Sequence, residues 1–130
     1  MEEINISRKI NNFLREIRKL KKIFTKIEFI IQYGSSTIKN YFFEDSDIDI
    51  CIYIDDKNEN LAKFRLEILT NIDDIFDIQI YQLLPIYVQI EVLKGKVLYV
   101  KNIDFLYQIA NETIEEFEDF YPLYLDYLNQ

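Results

Sequence analysis

The chain has 130 residues, 49% of them hydrophobic, with 15 basic and 23 acidic side chains and a net charge of −8. That length and apolar mass suit a single domain, residues 1–130, around one core, and the acidity argues against a protein that grips nucleic acid through Lys and Arg at the phosphates. No apolar run approaches the ~20 residues of a membrane span, and the N-terminus MEEINISRK has no signal-peptide core, so a cytoplasmic protein is expected.

From Ile6 to Phe24 apolar residues recur at helical spacing through Ile10, Phe13, Leu14, Ile17 and Leu20. Ser7 is a candidate N-cap. The basic run Arg15 to Lys22 reads as a solvated helix face, with a partner surface as the alternative. Ile27 to Tyr33 reads as a strand, with Ile27, Phe29, Ile31 and Tyr33 set against Glu28, Ile30 and Gln32. Gly34 ends it, and a short helix is predicted from Ser35 to about Asn40. Tyr41 to Ser46 is a loop into a second strand, Ile48 to Ile54. Strand side chains alternate, so Ile48, Ile50, Ile52 and Ile54 share one face while Asp47, Asp49, Cys51 and Tyr53 share the other.

A polar stretch, Asp55 to Asn60, precedes a second helix marked by Leu61, Phe64, Ile68, Leu69 and Ile72. Ile75 to Tyr81 is a third strand, with Phe76, Ile78 and Ile80 opposite Asp77, Gln79 and Tyr81. Pro85 to Leu93 carries two signals. Its alternation of Ile86, Val88, Ile90 and Val92 reads as a strand, whereas Pro85 at a first helical position and Gly95 as a C-terminal cap argue for a short helix. Lys96 to Val100 is a strand in either case. The last helix starts at Asn102 or Asp104 and carries the stripe Phe117, Phe120, Tyr121, Tyr124 and Leu128, which is core or a partner groove. Pro122 should kink or interrupt it.

Asp77 is a carboxylate in an apolar strand, costly to bury unpaired. If that strand lies beside Ile48–Ile54, Asp77 joins Asp47 and Asp49 as a third acid on one patch of sheet. Two such carboxylates repel by about 4 kcal/mol at roughly 4 Å and an effective dielectric of about 20, so a cation is expected between them. The chain has no histidine, a single cysteine (read as a small strand filler) and two glycines. That inventory excludes a Ser-His-Asp triad, a Cys-cluster zinc site, a P-loop and a GxGxxG turn. Catalysis would have to run on carboxylates, hydroxyls, Lys or Arg with a hard metal ion. A Gly-Ser turn after a strand would let a phosphate approach its N–H groups.

These residues resemble the minimal nucleotidyltransferases (MNT) of the DNA polymerase β superfamily. The match consists of Gly34-Ser35 after a strand, Ser46-Asp47-Ile48-Asp49, Asp77 within Phe76-Asp77-Ile78, the segment PIYVQIEVLKGKVLY, and the tail FEDFYPLYLDYL. The resemblance implies an α+β fold with a small mixed sheet and flanking helices, and the helix reading for Pro85–Leu93. It implies that Asp47, Asp49 and Asp77 hold two Mg²⁺ ions, that Gly34 and Ser35 grip the phosphates of ATP, and that Asp77 serves as general base. It further implies a HEPN-domain toxin as partner, with AMP transferred from ATP to a tyrosine of that toxin and the two proteins assembling as toxin and antitoxin. The alternative is a nucleotidyltransferase fold that neutralises its toxin by contact alone. A small-molecule adenylyltransferase or an RNA-extending enzyme fits less well, because those need further substrate-binding parts.

Overall fold

Isoleucine dominates the strictly alternating segments, and its branched Cβ suits the pleated strand better than the helix. The structure, a computed structural model, describes residues 2–38 and 47–130. It builds strands β1 (Ile27–Tyr33), β2 (Ile48–Ile54), β3 (Phe76–Ile80) and β4 (Lys96–Val100). The helices are α1 (Glu2–Lys19), α2 (Lys21–Phe24), α3 (Asn58–Asn71), α4 (Ile86–Leu93) and α5 (Ile103–Leu128). The sheet order is β3-β2-β1-β4. β1 runs antiparallel to both β2 and β4, while β2 and β3 are parallel, joined through α3. The fold is thus α+β with a mixed sheet and flanking helices, as expected.

Helices α1, α2 and α3 cover one face of the sheet. Ile10, Phe13 and Ile17 of α1, Ile23 of α2, and Leu61 and Ile68 of α3 close over the isoleucines of β2 and β3. Burying one such side chain contributes about 1.5–3 kcal/mol. The other face packs Phe29, Ile31, Cys51 and Tyr81 against Val92 of α4 and Leu106 of α5. Cys51 is fully buried there, the small strand filler expected. No helix among the described residues is long and apolar enough to cross a membrane.

Several sequence expectations need correction. Ser7 is not an N-cap, because α1 already begins at Glu2. The first helix also does not run unbroken to Phe24: Leu20 leaves helical geometry at ψ 68, and its N–H bonds back to Ile17 O at 3.1 Å. Ile27 does not share a face with Phe29 and Ile31. The pairing slips between Ile27 and Phe29, so Glu28 is an extra residue and Ile27 turns to the helical core beside Ile30. The helix predicted from Ser35 is a 3-10 turn, Gly34–Thr37; its expected end at Asn40 and the Tyr41–Ser46 loop lie outside the described residues.

The helix reading holds over Ile86–Leu93, but Pro85 is not its first helical residue, standing before it in extended geometry at ψ 154, and the C-cap is Lys94 rather than Gly95. Gly95 matters for space. A Cβ at Gly95 would meet Gln32 O, with Ile31 Cγ2 at 2.9 Å. Asn102 caps α5 by accepting from Asp104 N at 3.0 Å. Pro122 does not interrupt that helix; it sits at an exposed position, where water can serve the carbonyl it leaves without a donor. Nor is the aromatic stripe core: no residue of α5 beyond Thr113 is buried.

Candidate active site

The parallel pairing of β2 with β3 sets Asp49 opposite Asp77, and the antiparallel pairing with β1 sets Tyr33 opposite Asp49. Residues in register on neighbouring strands point the same way, so both carboxylates stand on the face that carries Cys51 and Tyr81. Each is half-buried. Asp47, two residues before Asp49 and of the same parity, is exposed at the strand entrance.

Gly34 brings the turn to the acids. Its φ is +76°, in the left-handed region that glycine enters without steric cost. A Cβ at this position would collide with Oδ2 of Asp49, whose Cγ stands 3.4 Å from that point. The backbone of Gly34 therefore lies directly against the Asp49 carboxylate. The turn is braced from below, where Gln32 Nε2 donates to Ser36 O at 3.2 Å and to Ser36 Oγ at 3.1 Å, both residues being buried. Thr37 Oγ1 donates to Gly34 O at 2.7 Å. Ser35, between these anchors, remains exposed.

Burial pushes the Asp49 carboxyl up to about 6, and the charge of Asp77, a hydrogen bond with Asp77 and the charge of Asp47 add to it. Among the described residues no ion pair reaches any of the three acids. Gln79 Nε2 donates to Asp77 Oδ1 at 3.0 Å and so fixes the carboxylate's orientation. The Tyr33 hydroxyl is held protonated, first by burial and then by Cys51, Asp49 and Asp77.

An acidic patch that holds no cationic side chain among the described residues, and whose charged donors are carboxylate oxygens, has the donor chemistry of a hard divalent ion. Yet among the described residues no three acids close into a ready-made coordination shell. Asp49 and Asp77 form the pair already in place, and Asp47 stands at its rim. Mg²⁺ commonly takes one or two carboxylates and completes its shell with substrate phosphates and water, so the residues fit that ion. A cavity of about 550 Å³ opens on the other side of the turn, lined by Gln32, Ser36, Thr37, Ile38 and Lys96 among others. Neither Asp49 nor Asp77 lines it; charge, not shape, locates the acidic site.

The structure brings together Gly34, Asp49 and Asp77, with Ser35 and Asp47 adjoining. The sequence reading missed Gln79, Tyr33 and the Gln32–Ser36 brace. Gln79 shares a strand face with Asp77 two residues away, and that spacing was the available signal. Gln32 gave none, since its role depends on how the turn folds back.

A mixed four-stranded sheet with a glycine turn set against an aspartate pair is the architecture of a nucleotidyltransferase. Residues 15–104 match the family described as "Polymerase beta, Nucleotidyltransferase". The chain belongs to that family. A Methanocaldococcus jannaschii protein named "Putative protein adenylyltransferase MJ1547" is 38% identical over 71 residues, 55% of this chain and 53% of that protein. The match thus spans about half the length of that relative.

Among solved structures, a chain of the tri-AMPylated Shewanella oneidensis HEPN toxin in complex with MNT antitoxin superposes with a TM-score of 0.68 at 18% identity, over 95% of each chain. A chain of a toxin–antitoxin complex with AMP-PNP gives a TM-score of 0.71 at 21% identity, over 91% of this chain and 96% of that one. At those identities the likeness speaks for the fold alone.

Proposed function

We propose that this chain transfers AMP from ATP to a tyrosine of a HEPN-type toxin and so acts as its antitoxin. The observation that carries this reading is the contact of the Gly34 backbone with the Asp49 carboxylate, itself in register with Asp77. A phosphate chain lying on the Gly34-Ser35 amides would then sit beside the acids. The names of the relatives support the same reading: an adenylyltransferase in one case, an AMPylated toxin with its antitoxin in another.

The acceptor hydroxyl oxygen attacks the α-phosphorus, the bond to pyrophosphate breaks, and the tyrosine proton passes to Asp77. Gln79 holds Asp77 in place for that step. Asp47, Asp49 and Asp77 would hold two Mg²⁺, and such ions would supply Lewis acidity toward the attacking hydroxyl and charge neutralisation for the pyrophosphate. Gly34 and Ser35 bind the β- and γ-phosphates through backbone N–H groups and the exposed hydroxyl.

The test is intact-mass spectrometry of the toxin after incubation with this chain, ATP and Mg²⁺. One or more added AMP masses, absent with Asp47→Asn, support the reading. Label on RNA or on an aminoglycoside instead would overturn it. That the described residues close no three-acid shell favours a second reading, neutralisation by contact alone. Under it the toxin is bound and silenced with no mass change, and Asp47→Asn silences it equally well.

A further inference from the structure

Two regions hold most of the chain's charge. Between Arg8 and Lys26 stand eight basic residues, with Glu16 the one acid. From Asn102 to Gln130 stand seven acids and no Lys or Arg, which is −7 of the net −8. Those acids, among them Glu112, Glu115, Glu118 and Asp119, occupy one side of α5, and an apolar stripe occupies the other. In the first half of the helix the stripe is covered: Leu106 and Thr113 are buried, and Phe105 and Ile109 pack on the second core cluster.

The second half has no such cover. At about 1.5 Å per residue, the 26 residues of α5 are about 39 Å long. Strands of five to seven residues span only about 17–23 Å. Beyond Thr113 the aromatic rings rest on one another and on α4: Phe117 on Tyr121 at 5.4 Å, Phe120 on Tyr124 at 5.6 Å, Tyr124 on Tyr87 at 6.4 Å between centroids. Tyr121 stays 44% exposed and Leu128 56%.

We infer that the C-terminal half of α5 is the docking surface for a protein that presents apolar side chains set among Lys and Arg. Given the function proposed above, on which this identification rests, that protein is the one that accepts AMP. Charge selects the partner. A second copy pairing the C-terminal half of α5 with itself would set Glu116 and Glu118, the acids flanking the stripe, against their own copies, with no cation to offset them. A second copy offering its basic α1 would bring charge but little apolar surface, because Ile10, Phe13 and Ile17 are buried in its own core and, among the described side chains, only Ile6 and Leu14 are half-exposed. An aromatic stripe edged by acids and free of cations is complementary to neither, and fits a basic, apolar-faced partner.

Two variants test this in the full chain: Tyr121→Ser with Leu128→Ser, which removes the apolar contact, and Glu116→Lys with Glu118→Lys, which reverses the two acids flanking the stripe. All four side chains are exposed, so the fold should hold. The probes are the HEPN-type toxin of the AMP-transfer assay and a synthetic helical Leu–Lys peptide, with a Leu–Glu peptide as control. Calorimetry should give about tenfold weaker toxin and Leu–Lys binding in each variant, ATP affinity unchanged, and no Leu–Glu binding to the parent. Toxin that binds both variants as tightly as the parent overturns the inference. So does failure of both toxin and Leu–Lys peptide to bind, or a homodimer that dissociates on Tyr121→Ser with Leu128→Ser. Toxin held through α5 without receiving AMP supports the docking surface while refuting the AMP transfer.

Discussion

One face of the sheet lies under α1, α2 and α3 and takes Ile48, Ile50, Ile52 and Ile54 wholly out of water. The other, shared with α4 and α5, leaves Asp49 and Asp77 half-buried at the strand ends, in register and without a cation among the described residues. The same seven residues of β2 serve both faces by parity alone. Even-numbered positions hold the fold together. Of the odd-numbered ones, Cys51 and Tyr53 pack in the second core, while Asp49, at the strand's end, is a group that the fold accommodates at some electrostatic cost. Stability and chemistry are therefore separable on a single strand, and substitutions on the two faces should act on different observables.

The largest effect is expected on the isoleucine face. Ile52→Ala leaves a cavity in a close-packed layer and should lower unfolding free energy by about 2–5 kcal/mol. Denaturant titration measures it, and ATP affinity per folded molecule should not change. A smaller loss, with ATP affinity falling too, would mean that the faces are coupled.

Gly34→Ala acts where backbone and site meet. The left-handed backbone costs an alanine about 1–2 kcal/mol, and its methyl group would push on Asp49 Oδ2. ATP affinity should fall well beyond what the stability loss explains, as paired calorimetry and thermal melts would reveal. Unaltered ATP affinity would remove Gly34 from the site.

The smallest effect in stability is at Asp49. Its folded value of about 6 lies above the ordinary 3.8, so folding favours the protonated carboxyl. That stabilisation is complete below pH 3.8 and is lost as pH rises through 6. In chelator, Asp49→Asn should therefore match the parent near pH 4 and melt higher at pH 8. Asp49 is half-exposed, so water screens the effect to no more than about 1 kcal/mol. An equal gap at both pH values would contradict the electrostatic account.

Much of this separation was legible in the sequence, because isoleucine alternating with other residues fixes which side of a strand is buried. Asp49 and Asp77 could be paired once β2 and β3 were taken as neighbours. Other features were not legible. The slip at Glu28 moves Ile27 to the opposite face, and such an extra residue leaves no mark in composition. In α4 the alternation of Ile86, Val88, Ile90 and Val92 mimics a strand, because a short helix wedged between β1 and α5 is apolar on more than one side. The overhang of α5 depends on the ratio of helix length to sheet length, which exists only after folding.

The most direct measurement is calorimetry of ATP binding with Mg²⁺ and with chelator, on the parent and on Asp49→Asn. If the acid-bearing face is a metal–nucleotide site, the parent binds ATP only with Mg²⁺, and Asp49→Asn binds it in neither buffer while still unfolding cooperatively. Equal ATP affinity in chelator, or undiminished binding by Asp49→Asn, would contradict it.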